Sequence, residues 1–402
     1  MIALFVHKPR FLDTTLRDGE QTPGVTLTPD QKLEVACALS DIGIDVIEAG
    51  SAAASEGELT AIGLISDAGL GTECCTYVRA LPYDIDLAAD AGADSVHLVV
   101  PASDLHIVEK MRKTRDEVYA MAMSAVEYAK ERGLIVELSG EDASRADQAF
   151  LSHIFTDGVA HGADRLCFCD TVGILTPERT AEFIPPLTRI APVSIHCHND
   201  LGFALPNTIA ALKSGASCAH VTVNGLGERA GNTPFEEVVM SLEVLYGVDT
   251  GIHTERIYPP LSTLVARLTG IDLPANKAIV GGSMAFTHES GIHAHGVLRN
   301  ARTYEPVPPE MVGRTRRIVL GKHSGKASVE ASLNELGGYT VTAEQLSAIL
   351  SRVKTLGEEG KRVTDADLMA IADTVLQLVC TPALSLRQFT VVSGNKSTPT
   401  RR

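Results

Sequence analysis

Two histidines separated by one residue give this chain its clearest chemical signal. His196 and His198 stand in the run Ser194-Ile-His-Cys-His-Asn-Asp200. In an extended strand alternate side chains share one face, so both imidazoles would point the same way and could bind one metal ion. The alternative is that they are buried strand histidines satisfied by hydrogen bonds. The decision depends on which other ligands and acids lie beside the pair.

A regular alternation of strands and helices would position these histidines. Up to about residue 250, a short apolar run, a polar loop and a helix-period segment recur, and a glycine precedes the next run. Eight strands and eight helices in about 240 residues predict an α/β fold, a (β/α)8 TIM barrel. A doubly wound sheet is the alternative, but no Gly-rich dinucleotide turn follows the first strand. The predicted strands are Arg10–Thr15, Asp45–Ala49, Thr72–Val78, Ser95–Val100, Leu134–Ser139, Arg165–Asp170, Val193–His198 and His220–Asn224.

The alternation stops after residue 250, and a small mixed or helical C-terminal region is predicted to follow the 1–250 barrel. Residues 251–322 are rich in Gly, Pro and His and are interpreted as a linking subdomain with one helix, Pro260–Leu268. Residues 323–384 are predicted to form a helical subdomain, and residues 385–402 a short remnant of a further domain. The predicted elements of these last two segments are the helices Ser324–Leu336, Thr342–Leu356 and Asp365–Val379 and the strand Leu386–Val392.

Acids, imidazoles and an arginine are concentrated at the predicted C-terminal ends of the strands, where TIM barrels carry their active sites. The opposite ends carry joints of the type Ala91-Gly-Ala-Asp94. One charged strand end would be an ordinary solvated loop, but six or seven at one face predict a site. These residues are Arg17, Asp18, Gln21, Glu48, His97, Glu141, Asp142, Asp170, Thr171, His196, His198 and the segment Asn224–Asn232.

Asp18, His196, His198 and a carbonyl oxygen of Asn232 form a candidate set of metal ligands. Nitrogen and oxygen donors with room for water or a chelating substrate suit Zn²⁺, Mn²⁺, Mg²⁺ or Fe²⁺. An ion with an open position polarises a carbonyl as a Lewis acid. Arg17 could stabilise a developing oxyanion with its guanidinium. The alternative for Arg17 is a surface ion pair with Asp18 or Glu20.

Composition limits the partners and the compartment. The formal net charge of −15 argues against nucleic acid or an anionic membrane as a partner, so local positive charge must hold any anionic substrate. There is no apolar run of about 18 residues and no signal-peptide pattern, so we expect a cytoplasmic protein. The cysteines show no CxxC pair and are interpreted as reduced and buried, with Cys197 facing away from its flanking histidines. They are Cys37, Cys74, Cys75, Cys167, Cys169, Cys197, Cys218 and Cys380.

Three motifs resemble the acyl-CoA:2-oxoacid synthases of the DRE-TIM metallolyase superfamily, which include 2-isopropylmalate, homocitrate and (R)-citramalate synthases. The motifs are Phe11-Leu-Asp-Thr-Thr-Leu-Arg-Asp-Gly-Glu-Gln21, His196-Cys-His-Asn-Asp200 and Asn224-Gly-Leu-Gly-Glu-Arg-Ala-Gly-Asn232. The likeness extends from about Phe11 to Lys396. It implies a TIM barrel, a divalent metal ion (Zn, Mn or Mg) and acetyl-CoA as co-substrate. The implied reaction is a Claisen-type condensation in which the enolate of acetyl-CoA attacks the keto carbon of a 2-oxoacid, followed by hydrolysis of the thioester.

The resemblance also implies roles for individual residues. Asp18, His196 and His198 would bind the metal ion, with Asn232 as a further ligand. Arg17 would bind the substrate carbonyl oxygen and stabilise the enolate, Glu141 would take part in catalysis and Thr171 would hold the oxoacid carboxylate. Substrate binding is also assigned to Gln21, His97 and Ser139.

A later segment, Phe286–Gly296, resembles the part of these synthases that reaches into the barrel of a neighbouring subunit. His293 and Tyr304 would then complete the partner's active site, which implies a homodimer with shared sites. Without the resemblance, His288, His293 and His295 would suggest a second metal site. Residues 386–396 resemble the start of a regulatory domain, and the chain ends soon afterwards, so we expect no feedback inhibition by isoleucine or leucine.

The choice of oxoacid depends on few residues. Ser51-Ala52 stands where many isopropylmalate synthases have Phe-Pro and citramalate synthases often have Ser-Ala. The run from Val96 to Ser103 is bulkier than we expect of a pocket for a branched oxoacid, and no basic residue for a distal carboxylate is identifiable. We therefore expect pyruvate as acceptor and (R)-citramalate as product, on a route to isoleucine. The first alternative is 2-isopropylmalate synthesis from 2-oxoisovalerate, followed by homocitrate synthesis or acyl-CoA cleavage. Acyl-CoA lyases carry a cysteine in the loop that corresponds to Gly225–Asn232. This loop has no cysteine here, which argues against cleavage.

Overall fold

The computed structural model describes residue 5 and residues 7–377 of the chain, and it divides into two compact units. Of the described residues, the first unit comprises those up to 286 together with 307–315. The second comprises residues 287–306 and 316–377. The segment 251–322 thus contributes to both units, and the four-part division of the chain stays a prediction. The predicted strand 386–392 and Cys380 lie outside the described residues.

Eight parallel strands in the first unit close into a barrel, which confirms the predicted fold. Each strand pairs with the next one in sequence, and the eighth pairs with the first. The strands are β1 (Arg10–Asp13), β2 (Val46–Glu48), β3 (Glu73–Arg79), β4 (Ser95–Pro101), β5 (Ile135–Glu141), β6 (Arg165–Asp170), β7 (Val193–Cys197) and β8 (Cys218–Val221). The surrounding helices are α1 (Pro29–Ile42), α2 (Glu56–Asp67), α3 (Pro82–Asp90), α4 (Arg115–Glu131), α5 (Gln148–Ala160), α6 (Pro177–Leu187), α7 (Ala204–Lys213) and α8 (Phe235–Tyr246).

Local sequence determines where several helices begin. The Thr28 side chain accepts a hydrogen bond from the Gln31 N–H, and the Gln31 side chain accepts one from the Thr28 N–H, which makes a capping box. Thr176 caps α6 in a similar way, with Pro177 at its first position. Both starts agree with the predicted caps. The caps fix the lengths of the loops at the C-terminal face of the barrel.

The last strand ends earlier than predicted. The sequence suggested His220–Asn224, whereas β8 ends at Val221. Asn224 adopts a left-handed conformation (φ 63°), its backbone N–H donates to Glu236 and its side-chain amide donates to the carbonyl of Ser262. Asparagine tolerates this conformation better than most residues, so the chain turns here instead of extending.

The barrel interior is polar, whereas the layer between strands and helices is apolar. The apolar layer contains large buried side chains such as Phe11, Phe155 and Phe168. Inside the barrel, the carboxylate of Glu137 lies 2.6 Å from Nε of Arg165 and 2.7 Å from Nε2 of His220, and all three side chains are buried or nearly so. TIM barrels usually fill this space with branched apolar residues. Buried charges are tolerated when they are paired.

The remaining described residues form further helices and a small sheet. Helix α9 (Thr263–Thr269) belongs to the first unit. The second unit contains α10 (Gly291–Arg299), α11 (Lys326–Leu336), α12 (Ala343–Glu358), α13 (Asp365–Leu376) and a sheet of β9 (Thr287–His288) and β10 (Arg317–Ile318). The predicted helices of this region are present, and Thr342 and Gln345 form the predicted capping box. Among the helices described, none has the length and hydropathy needed to cross a bilayer.

Candidate active site

A cavity of about 260 Å³ opens at the C-terminal ends of the barrel strands. Most of the residues assigned from the sequence line it. A larger cavity of about 730 Å³ lies at the opposite end, where Asp164 and Gly215 belong to the joints that enter the strands. We place the site in the smaller cavity because titratable groups from most of the strands converge there. The predicted residues that line it are Arg17, Asp18, Gln21, His97, Glu141, Thr171, His196 and His198.

Of the residues with an individual predicted role, four lie elsewhere. Ser139 is buried in β5 and Asn232 is buried beside Asp18, and neither lines the cavity. His293 and Tyr304 belong to the second unit, where their ring centroids are 4.1 Å apart and both side chains are exposed. Their role in completing a neighbouring subunit's site stays a prediction.

Asp18, His196 and His198 bring three potential ligand atoms together. The Nε2 atoms of the two histidines are 3.4 Å apart, and Oδ2 of Asp18 lies 3.7 Å from Nε2 of His196. Burial lowers the pKa of both histidines, His196 more strongly, and the neighbouring His198 lowers that of His196 further. Both imidazoles are therefore neutral at pH 7, with lone pairs available for a ligand.

This donor set fits a divalent metal ion. The ligand atoms of all three residues lie within 4.8 Å of one another and are buried. Two neutral imidazoles and one carboxylate are ligands that Zn²⁺ and related ions accept, with positions left for other donors. Among the described residues, Nδ1 of each histidine has no hydrogen-bond partner. The geometry favours the ligand-pair interpretation of the His-x-His motif over that of two satisfied strand histidines.

Asn232 lies beside this set because the loop after β8 returns to β7. A single antiparallel bridge joins His198 to Asn232. The Asn232 amide donates to Oδ1 of Asp18 at 2.7 Å, and its Oδ1 atom is buried without a partner among the described residues. Gly227 (φ 151°) packs so closely that a Cβ atom there would collide with the Asn232 amide and approach Oδ1 of Asp18 to 3.1 Å. This glycine is therefore needed for Asn232 to orient the carboxylate.

Arg17 lies inside the site, so the surface ion pair considered for it is wrong. Its side chain is 10% exposed; Nη1 donates to Asp18 at 2.6 Å and Nε donates to Glu48 at 2.8 Å. Glu20 pairs with Lys32 instead. Burial alone would lower the pKa of Arg17, but the charges of Glu48 and Asp18 outweigh it and raise the pKa. The guanidinium is therefore a fixed cation at the cavity wall.

Glu48 links Arg17 to His97. Nδ1 of His97 lies 2.7 Å from Oε1 of Glu48. Burial alone would lower the pKa of His97, but the Glu48 carboxylate outweighs it and raises the pKa to about 9. Burial alone would raise the pKa of Glu48, but Arg17 and His97 together hold it well below its usual range. Arg17, Glu48 and His97 thus form a row of alternating charges, and such fixed charges can stabilise a developing anion without rearranging.

Glu141 is a cavity carboxylate with a cationic partner. It ends β5, and its two oxygens lie 2.6 and 2.9 Å from Nζ of Lys110. Nδ1 of His106 is 3.3 Å from Oε2 of Glu141. A carboxylate with imidazole and ammonium neighbours at a cavity wall can exchange protons with a bound substrate.

Several cavity residues were not predicted from the sequence. Tyr77 lies near the end of β3, and its ring is 5.3 Å from the Arg17 guanidinium. Glu48 was predicted because active-site residues lie at the C-terminal ends of barrel strands, and the same argument applies to Tyr77. Lys110 comes from a long loop that carries no comparable signal. Arg229 lies in the predicted segment Asn224–Asn232, but no individual role was predicted for it. Arg229 donates to both carboxylate oxygens of Asp200 and to the carbonyl oxygen of Thr171, which joins three of the loops around the cavity.

Comparison with known proteins agrees with the motifs. The HMGL-like family matches residues 8–264, and the homocitrate synthase post-HMGL domain-like family matches residues 279–361. A solved structure of hydroxymethylglutaryl-CoA lyase from Pseudomonas aeruginosa has a TM-score of 0.60 and 20% identity, and covers 67% of this chain and 95% of that chain. At this identity the similarity shows the fold alone.

Curated relatives are much more similar. The chain is 71% identical over 400 residues to a protein of Methanoculleus marisnigri that is provisionally named (R)-citramalate synthase CimA, a match covering 100% of this chain and 79% of the relative. It is 55% identical over 392 residues to the (R)-citramalate synthase CimA of Methanocaldococcus jannaschii, covering 97% of this chain and 79% of the relative. These matches confirm the resemblance found in the three motifs. The chain therefore belongs to the HMGL-like family and, within it, to the family of the archaeal CimA proteins.

Proposed function

We propose that this protein is an acyltransferase that condenses acetyl-CoA with pyruvate to give (R)-citramalate and CoA. The observation that carries the proposal is the 55% identity, over 97% of this chain, to a protein named (R)-citramalate synthase. Citramalate is malate with a methyl group on the carbinol carbon. Its central carbon–carbon bond joins the keto carbon of pyruvate to the methyl carbon of an acetyl group, which is the bond that the reaction forms.

A divalent metal ion held by Asp18, His196 and His198, with Asn232 beside them, would polarise the keto group of the oxoacid. Zn, Mn and Mg are the candidate ions. The support is the convergence of three buried donors and the two neutral imidazoles.

Arg17 supplies fixed positive charge where oxygen becomes negative during the attack. Its guanidinium cannot lose its proton, and Glu48 holds it in place through Nε. Thr171 and Gln21 line the same cavity and would bind the oxoacid carboxylate, while His97 adds a second cation through its raised pKa. Ser139, which we also assign to substrate binding, is buried in β5.

Glu141 is the group that we assign to proton exchange with the acetyl-CoA methyl group or with water. Removal of a methyl proton gives the enolate, whose carbon attacks the keto carbon of pyruvate. Water then cleaves the thioester and releases CoA, which makes the overall reaction effectively irreversible. Lys110, paired with Glu141, would stabilise the carboxylate form between these steps.

The small cavity is consistent with a small acceptor. Of its lining side chains, Tyr77, Val99 and Cys169 are the least polar, and the others are mainly polar or charged. A hydrophobic contact of one methyl group, as in pyruvate, fits such a wall. We also propose a homodimer in which His293 and Tyr304 complete the neighbouring site, a cytoplasmic location and a role in isoleucine biosynthesis. A cross-linked or light-scattering mass of a monomer would contradict the shared site.

The test is the release of free CoA from acetyl-CoA with pyruvate, 2-oxoisovalerate or 2-oxoglutarate, with and without a metal chelator. Turnover should be fastest with pyruvate and should stop in chelator, and chiral chromatography should identify (R)-citramalate. Preference for 2-oxoisovalerate would assign the chain to 2-isopropylmalate synthesis instead. Undiminished turnover in chelator would overturn the metal assignment.

A further inference from the structure

A second cavity of about 280 Å³ adjoins the first. The two cavities share four lining residues: Tyr77, Val99, Lys110 and Glu141. Beyond this boundary the second cavity is mostly apolar and is lined by Leu81, Val100, Met111, Val118 and Met121. A ligand with a long chain could therefore lie in the second cavity and place its end group beside Glu141 in the first.

The loop after β4 concentrates positive charge next to this cavity, in a chain whose net charge is −15. Two of its cations are neutralised: Lys110 by Glu141, and Arg115 by Asp104. The other two, Arg112 and Lys113, follow the cavity residue Met111 directly. Arg112 is exposed and Lys113 half-buried, and across residues 7–377 neither has a carboxylate oxygen within 4.0 Å. Two cations that form no close ion pair among the described residues thus follow a residue that lines an apolar cavity.

The backbone at Arg112 would favour glycine. Arg112 has φ 54°, in the left-handed region, and it ends the π-helical turn His106–Lys110. The Lys113 N–H donates to the carbonyl of Ile107 and the Arg112 N–H to that of Val108, a helix end at which glycine is the common residue. An arginine at such a position is strained, and strain of this kind is often retained for function.

We propose that the second cavity binds the pantetheine arm of the acyl-CoA substrate and that Arg112 and Lys113 bind its phosphate groups. The inference rests on the proposed function. The substrate's length and charge match this surface. Its extended arm, which ends in the thioester, matches the apolar cavity, and the diphosphate and 3′-phosphate at its other end match the two cations. The thioester then lies at the boundary between the cavities, where Glu141 can reach the acetyl methyl group and the oxoacid occupies the first cavity.

Steady-state kinetics with two thioesters test the phosphate contacts. Acetyl-pantetheine carries the arm without the phosphates, so it should not respond to a change at Arg112. In Arg112→Glu and Arg112→Gly, KM for acetyl-CoA should rise about fivefold or more, while KM for pyruvate and all constants with acetyl-pantetheine stay unchanged. Arg112→Gly should also keep or raise the melting temperature, because glycine relieves the left-handed strain, so loss of folding cannot explain its effect.

Arg189→Glu is the matched control. Arg189 is an exposed arginine between α6 and β7, at the opposite end of the barrel, and its reversal should leave KM for acetyl-CoA unchanged. An equal KM for acetyl-CoA in wild type and both Arg112 variants would overturn the phosphate site. A rise of the same size in Arg189→Glu would show a general charge effect and would overturn it as well.

A substitution that fills the apolar cavity tests whether the pantetheine arm binds there. Met121→Trp should raise KM for acetyl-CoA and for acetyl-pantetheine alike, with KM for pyruvate unchanged. If KM for both thioesters stayed unchanged, binding of the arm in the second cavity would be refuted. A wild-type enzyme that makes no citramalate would refute the proposed function. In that case calorimetric titration with CoA still decides the inference: wild type should bind CoA several-fold more tightly than Arg112→Gly, and equal Kd values would refute it.

Discussion

Nε of Arg17 lies 2.8 Å from Oε2 of Glu48, and both side chains are buried at the cavity wall. The other oxygen of Glu48 contacts His97, and Nη1 of Arg17 contacts Asp18. One carboxylate thus connects a cation beside the proposed metal ligands to a second cation in the barrel. The guanidinium is held from two sides, so its remaining N–H groups have a fixed direction.

This relationship predicts that lysine cannot replace Arg17. A single ammonium group cannot keep the geometry of the Nε bond to Glu48 and the Nη1 bond to Asp18 together. We expect Arg17→Lys to lower kcat by about 100-fold, the size of effect seen when one preorganised donor to an oxyanion is removed. Arg132→Lys, at a surface pair with Asp86 and Asp90, is the control and should leave kcat unchanged. Equal kcat values for the two variants would contradict the role of Arg17.

The metal assignment predicts opposite outcomes for Cys197, the last residue of β7, and His198, which follows it. His198→Ala removes a ligand atom, so affinity for Zn²⁺ or Mn²⁺ should fall by more than about 100-fold, and activity should fall with it. Cys197 is buried and points to the other face of the barrel wall. Cys197→Ala should therefore retain the metal. Metal content after dialysis and a calorimetric titration measure both variants; a retained ion in His198→Ala would refute the ligand role.

Asp13 predicts a pH dependence of stability. Burial raises the pKa of its carboxyl to about 7 from an ordinary value of 3.8, against the opposing hydrogen bonds from Thr15. Between these values the folded state keeps a proton that the unfolded chain loses, so this group's contribution to the free energy of unfolding falls as pH rises from 4 to 7 and is constant above.

Asp13→Asn imitates the protonated carboxyl and removes this dependence. We expect the variant and the wild type to be similarly stable at pH 4, and the variant to be more stable at pH 7.5 by up to about 4 kcal/mol. Urea unfolding at several pH values measures the difference. A difference that is independent of pH would show that Asp13 is ionised in the folded protein.

The apolar wall of the cavity predicts how the acceptor can be changed. Val99 lines it on β4, and Val99→Ala would make room for about two methyl groups. The ratio of kcat/KM for 2-oxobutanoate to that for pyruvate should rise about tenfold, since one methylene group in a hydrophobic pocket is worth about 1–3 kcal/mol. Leu64→Ala, on the surface of α2, is the control and should leave the ratio unchanged. An unchanged ratio in Val99→Ala would place the acceptor's side chain elsewhere.

The sequence by itself predicted the barrel and most of the residues that line the candidate site. Its strand–helix alternation predicted eight strands, and strand ends in a parallel barrel must meet at one face, so Asp18, His196 and His198 could be brought together without coordinates. Side-chain alternation placed both histidines on one face and Cys197 on the other. The three motifs then supplied the family, which the curated relatives confirm.

Only the tertiary structure decided which of these groups carry charge and what they contact. The exposure of Arg17 could not be read from its neighbours in sequence, because Glu48, its second partner, is 31 residues away and on another strand. The raised pKa of His97 and the neutral state of His196 depend on burial and on side chains that are remote in sequence. The cavity beside Met111 likewise combines residues of β3, β4 and α4. Local patterns report which face of an element a residue occupies, whereas electrostatics depends on distances between elements that are remote in sequence.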